Sequence, residues 1–464
     1  MKRVLRLLAA SLLLPAALTV GAAAADFEPV AQELSAIGMF RGTGSGFELD
    51  RAPTRAEAAI MLVRLYGAED TASADYQAGV IAHPFTDVPN YAAPHIAWLY
   101  SQGLTKGISA DKFGSADLCT AQSYATFLLR SLGYTDGVDF AYADALAFAQ
   151  EKGFYNDLIF TGDFLRDDLA ALTYQALAAD TADGSTYLLQ SLVDSGAIDK
   201  NAAAPMAEKM ELYREMSSYL VSSDTQDTEL SLLVNMLDTF TVEGAETTEA
   251  YTTTAGVIKT IGSGDDVEMS YEMMILAHDD FYGETSAAMA FWLKDGWAYQ
   301  YMSDGAMTQT VKYPVEGENS AAENLELPSY ADLDVSDIAL VKSITKEKDG
   351  SDTVYSVEIH KGFGGLIGDI SMWMEEKPEG DGIAHFEMSV DESILVYIVD
   401  RKGDLKGMGI ELPYSISMEI YGAKSVHDFI LQLSIAVEAT GKNVVIEYPD
   451  FSYFAEIDPA ILAK

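Results

Sequence analysis

The sequence predicts a multi-domain chain: all-α helical repeats followed by a mainly antiparallel β (α+β) domain. Two patterns carry this, self-similarity at helical spacing across residues 26–180 and a switch to period two after about residue 256. Composition supports both parts. Hydrophobic residues make up 49% of the 464, with 25 Tyr and 19 Phe, enough for packed cores despite a net charge of −43. That charge argues against nucleic acid and anionic bilayers as partners.

Residues 1–25 read as a secretory signal peptide. Lys2, Arg3 and Arg6 form its positive end, Leu7 to Val20 its apolar stretch, and Ala23 to Ala25 its cleavage site. The apolar stretch is shorter than the ~20 residues a spanning helix needs. No later stretch is long and apolar enough to span, so no membrane span is expected after cleavage. Cys119 is the single cysteine, which excludes an intramolecular disulfide framework. Its apolar neighbour Leu118 suggests a small buried hydrophobe.

The first third repeats itself. FELDRAPTRAEAAIMLVRLYG at 47–67 aligns without a gap on FGSADLCTAQSYATFLLRSLG at 113–133, Phe47 with Phe113, Thr54 with Thr120 and Gly67 with Gly133. A weaker copy, FLRDDLAALTYQALA at 164–178, sets Arg166 and Asp168 opposite Arg55 and Glu57. Each copy is preceded by a helical stretch, at 30–42, 84–109 and 139–154, the last two stopped by Gly103 and Gly153. Three repeats result, at about 26–67, 84–134 and 139–180.

These features resemble the S-layer homology (SLH) domain. The helix, loop, Phe and second helix opened by Thr54-Arg55-Ala56-Glu57 follow its plan, and Phe85-Thr86-Asp87-Val88 matches its F-x-D-V entry. The first repeat lacks that entry, Tyr91 replaces a usual Trp, and the second repeat opens on Thr120-Ala121-Gln122-Ser123. The resemblance implies a pseudo-threefold helical prism that binds secondary cell-wall polysaccharide or a peptidoglycan-linked polymer, often through pyruvylated sugars. It implies a cell-wall or cell-surface location on a Gram-positive-type bacterium.

The motif also has a local physical reading. Thr54 and Glu57 fit a capping box, the hydroxyl accepting the N3 amide and Glu57 reaching back to the Thr54 amide. Arg55 is not explained that way, since the macrodipole disfavours a cation at a helix start. Either it pairs with a neighbouring acid, or it docks a polymer carboxylate beside free helix amides. Arg166 carries the same argument, with Leu165 in place of the capping Thr. Where Ala121 replaces Arg, the groove is expected to be structural. Asp87 suits either sugar hydroxyls or a turn cap. Tyr91 and Trp98 suit either a stacked sugar or the core.

Residues 181–255 read as a helical linker region: a closing helix at 185–198, a second at 204–220, a short one at 230–240, then a Thr- and Glu-rich spacer. From 256 to 464 an antiparallel β-sheet domain is expected. Asp295-Gly296 and Asp304-Gly305 split 289–315 into a meander. Further strands are expected at 267–277, 338–346, 353–360, 383–390, 394–400, 408–421 and 443–448, with helices near 332–337 and 425–437. The Lys294-Asp295-Gly296 turn, Val311-Lys312-Tyr313-Pro314 and the 396–408 stretch resemble LolA-like lipoprotein-carrier half-barrels. That resemblance implies an apolar face for a hydrophobic ligand or an envelope protein. Met269, Met273 and Met274 fit such a face or an ordinary core.

Catalytic signatures are missing: no G-x-S-x-G, H-E-x-x-H or P-loop occurs, and Ile367 breaks a dinucleotide fingerprint at 362–367. The chain is expected to be non-enzymatic, with no cofactor and no metal. The alternative is a wall-tethered hydrolase with an unrecognised active site in the β-domain.

Overall fold

The computed structural model describes residues 27–42, 44–156, 159–160, 162–222, 227–243, 247–262, 267–279, 283–315, 337–360, 383–420 and 423–457. The expected leader and most of the expected helix near 332–337 lie outside them. Two compact units emerge, one of 27–214 with 337–341, the other of the described residues from 215 onward except that segment.

The first unit is helical. Its helices are α1 (Glu28–Ala36), α2 (Arg55–Leu65), α3 (Glu69–Gln77), α4 (Ala93–Ser101), α5 (Ala121–Ser131), α6 (Ala145–Glu151), α7 (Arg166–Ala178) and α8 (Leu188–Asp194), and α9 (Lys200–Ser222) begins in it. Helices α2, α5 and α7 are the second helices of the three repeats. Aligned positions play the same role: Leu62 and Leu128 are both fully buried. Gly103 and Gly153 follow α4 and α6 with φ of 73° and 75°, a conformation that ends a helix cheaply only at glycine. The α7 helix lies at the centre, with every residue but Asp168 buried.

The second unit is one sheet. Among the described residues its strands are β1 (Thr228–Val242), β2 (Thr248–Ile261), β3 (Glu268–Asp279), β4 (Gly283–Lys294), β5 (Trp297–Ser303), β6 (Thr308–Pro314), β7 (Val341–Asp349), β8 (Asp352–Ile359), β9 (Ile383–Val390), β10 (Ser393–Val399), β11 (Leu405–Ile420), β12 (Ala423–Thr440) and β13 (Ala455–Glu456). They follow an open path β13-β6-β5-β4-β3-β2-β1-β12-β11-β10-β8-β7, with β9 also on β11. Among the described residues the pairings of β1 to β6 and β8 to β12 are antiparallel, and β13 pairs with β6 in parallel. Asp295 and Gly296 both take positive φ, 52° and 73°, as a tight two-residue hairpin turn requires.

Four expectations are corrected here. The helical linker does not reach 255, because β1 and β2 occupy the expected helix at 230–240 and most of the expected spacer. The expected helix at 425–437 is part of β12. In both cases period two governs: Leu230, Leu232, Val234 and Met236 share one face of β1, aligned with Val437, Ile435, Leu433 and Leu431 of β12. Residues 338–340 form a 3₁₀ turn ahead of β7, not a strand, and 443–448 is irregular. Met269 and Met273 are buried in the core of the sheet's apolar face, whereas Met274 alternates to the other face and is 55% exposed.

Candidate functional site

Two seams of the helical unit are built alike. In each, the start of a second helix sits on the loop between the two helices of another repeat. The Arg55 amide donates to Asp117 O at 2.9 Å, and the Arg166 amide donates to Arg51 O at 2.9 Å. The Arg55 Nε donates to Phe113 O at 3.2 Å, and the Arg166 Nε to Phe47 O at 2.9 Å. Phe113 and Phe47 are the aligned first residues of the repeat copies. One hydrogen bond through Nε thus points each guanidinium and leaves its two terminal nitrogens turned from the loop carbonyl.

At the first seam Thr54 caps α2. Its hydroxyl accepts the Glu57 amide at 3.3 Å while Glu57 accepts the Thr54 amide at 2.8 Å. The Arg55 guanidinium lies 5.2 Å from the Phe113 ring centroid and 5.7 Å from that of Phe127. Among the described residues no carboxylate lies within 4.0 Å of its nitrogens, so it has no ion-pair partner. The loop beneath is fixed by Asp87, whose two oxygens accept the Phe113 and Gly114 amides, each at 2.8 Å. Burial works to raise the Asp87 carboxyl, but those two amides hold it below its ordinary value. Asp87 therefore supports the loop that supports Arg55. Gly114 is needed there: its φ is +77°, and a Cβ would stand 2.5 Å from an Asp117 oxygen.

At the second seam Arg166 is only 7% exposed, and burial pulls its guanidinium below its ordinary value. It stacks 5.0 Å from the Phe40 ring and approaches Glu57 at 3.7 Å. With Met39, Phe40, Arg41, Glu57, Ile60, Met61, Arg64 and Leu169 it lines a pocket of about 130 Å³. Glu57 is mainly held by Arg51, at 2.5 and 3.0 Å, and Glu69 holds Arg41 at 2.7 Å and Arg64 at 3.1 Å. The sequence reading missed Arg41, Arg51 and Arg64, and the ring platforms Phe40, Phe113 and Phe127. The aligned pairs Phe47 with Phe113 and Arg64 with Arg130 offered a signal.

The second repeat's helix start differs. Thr120 caps α5 through the Ser123 amide at 3.2 Å, and Tyr142 fills the space beside it. The Tyr142 hydroxyl lies 2.9 Å from Ser123 Oγ, and its carbonyl accepts Gln122 Nε2 at 2.5 Å. Tyr91 is 63% exposed. Trp98 is not brought to Arg55: it packs 5.4 Å from Tyr66, past the far end of the 11-residue α2, about 16 Å along the helix.

Asp168 stands at N3 of α7 as Glu57 does in α2, but no arginine among the described residues pairs with it. Burial pushes its carboxyl up to about 6, although the Leu165 amide donates to it at 2.6 Å. Its folded value thus lies above the unfolded one near 3.9. The stability it contributes is full below the unfolded value and is lost as pH rises through about 6. Asp168→Asn keeps the acceptor and sheds the buried charge. It should be about 1–2 kcal/mol more stable than the native chain at pH 7.5 and equal to it near pH 3.5, read by thermal melts.

Part of the first seam, the Asp87-held loop at 113–117, falls within a stretch similar to a known module. Residues 84–120 match the S-layer homology domain, which supports a surface-associated protein. Over 178 residues it is 32% identical to the "Cell surface protein" of Thermoanaerobacter kivui, a stretch covering 36% of this chain and 23% of that relative. The chain thus spans about a quarter of the relative's length. Among solved structures it is similar to a DUF1329 family protein from Desulfovibrio piger, at 10% identity and a TM-score of 0.14, over 51% of this chain and 95% of that one. A LolA superfamily protein from Nitrosomonas europaea is similar at 7% identity and a TM-score of 0.14, over 50% and 97%.

Proposed function

We propose that this chain is a non-enzymatic wall-anchored surface protein. Its helical unit binds a carboxylate-bearing secondary cell-wall polysaccharide, and its sheet unit binds a hydrophobic ligand or an envelope partner. The observation that carries the anchoring is the Arg55 guanidinium. In a chain with 72 acidic and 29 basic residues, it is half-exposed, aimed by Phe113 O, and without an ion-pair partner among the described residues. Such a fork matches a carboxylate geometrically, and a pyruvate ketal supplies one. The S-layer homology match supports a wall polymer as the bearer. The full chain should sediment with purified polymer-bearing walls and stay in solution with walls stripped of the polymer. Equal sedimentation with both would exclude this reading.

A second reading, a wall-tethered hydrolase, rests on one pair in the sheet unit. His427 Nδ1 lies 3.2 Å from both oxygens of Asp238, an arrangement that orients an imidazole for proton transfer. Among the described residues no hydroxyl hydrogen-bonds to that pair. Absence of wall hydrolysis by the intact chain would remove this reading.

A further inference from the structure

The helical unit is not made from one continuous stretch of chain. Residues 337–341, which run directly into β7, belong to it. Ile338, Ala339, Leu340 and Val341 are at most 2% exposed, and Asp337 is 3% exposed. The Asp337 carboxylate accepts Asn156 Nδ2 at 2.6 Å and also Gln175 Nε2. Gln175 lies on α7, and Asn156 precedes that helix in the same repeat. Beside them Lys209 of α9 donates to Val341 O at 3.1 Å and to Glu33 at 2.7 Å. Glu33 of α1 also accepts the Tyr174 hydroxyl of α7 at 2.5 Å. Lys209 and Glu33 thus tie the end of the segment to α1, α7 and α9 at once.

We propose that segment 337–341 is a strap through which the sheet-forming half of the chain controls the Arg166 pocket. This rests on reading that pocket as a polymer subsite. Both ends of α7 are committed: Arg166 opens it in the pocket, and Gln175, nine residues on, is gripped by the strap. A helix of that length moves as a rigid rod of about 14 Å from one grip to the other. An enclosed helix cannot shift without repacking, so drawing the strap out of its slot frees α7 and misplaces Arg166. The Arg55 seam, built from α2 and the 113–117 loop, has no part in this grip.

The test uses the full chain and two readouts. Asp337→Ala, Gln175→Ala and their double variant should each speed amide exchange in 166–178 at least tenfold and leave α2 and α5 unchanged. The double variant should not exceed Asp337→Ala, because that change already breaks the Gln175 bond, and should exceed Gln175→Ala only by the Asn156 bond. In an Arg55→Ala background, where only the Arg166 pocket remains, Asp337→Ala should lower residual wall binding about five- to tenfold. Should Asp337→Ala unfold the unit, so that α2 and α5 exchange as well, Asp337→Asn carries the same test with its shape kept. Unchanged exchange in α7 overturns the strap. Faster exchange with unchanged residual binding overturns its control of the pocket. No residual binding in the Arg55→Ala background overturns the pocket as a subsite, and the control with it, while the exchange data still decide the strap.

Discussion

Arg55→Ala is expected to weaken binding to wall polymer roughly 10- to 100-fold while shifting stability by only about 1 kcal/mol. The binding loss follows from removing charge-assisted hydrogen bonds, worth about 1.5–3 kcal/mol. The small stability change is a balance. Losing the Phe113 O hydrogen bond and the contacts with Phe113 and Phe127 costs about 1–2 kcal/mol, and removing a cation from a helix start returns about 0.3–1 kcal/mol. Thr54→Ala should behave the other way round. It removes the cap on the Glu57 amide, costs about 0.5–2 kcal/mol, and leaves the folded fraction binding normally. Arg55→Lys should bind at an intermediate level, because one ammonium cannot both hold the Phe113 carbonyl and present a fork. Thermal melts and wall-binding isotherms on the three variants separate these outcomes. An Arg55→Ala chain that melts far lower yet binds normally would show Arg55 to be structural.

Glu57→Ala should be the most destabilising single change at this site, at about 2–3 kcal/mol. Burial alone would raise the Glu57 carboxyl. The Arg51 guanidinium and the Thr54 amide overcome that and hold it at about 2. Because the folded value lies below the unfolded one near 4.3, the stabilisation is complete at neutral pH. It is lost as pH falls from about 4.5 through about 2. Glu57→Gln retains an acceptor for Thr54 but gives up the ion pair. Its stability should therefore fall less steeply than the native chain's across that window, and melts at pH 7, 4.5 and 2.5 check this. Parallel curves would place the acid sensitivity elsewhere.

The capping box was legible in the sequence because Thr54 and Glu57 are three residues apart and local helix geometry dictates their contact. The seat of Arg55 was not. Its carbonyl partner Phe113 lies 58 residues downstream, and nothing in the motif says which loop the arginine meets. The meander of 289–315 was legible from its Asp-Gly turns, which fix register locally. The long strands β1 and β12 were not, since stretches such as LSLLVNML satisfy helical spacing as readily as alternation. Their strand form is decided by pairing partners, nearly 200 residues apart for these two. Trp98 failed to reach Arg55 for a related reason: sequence gives the residue type but not which end of a helix it will face.

The crossed seams bear on how such a module is inherited. Repeat one supplies Arg55 but repeat two supplies its seat, and repeat three supplies Arg166 but repeat one supplies its seat. Excising repeat two would therefore strand an arginine in repeat one, and duplicating a single repeat would add a helix start with no matching loop. The smallest piece that recombination could pass on intact is the trio, so the copies can drift apart in sequence, as Ala121 and Leu165 have, only while their complementary halves stay together.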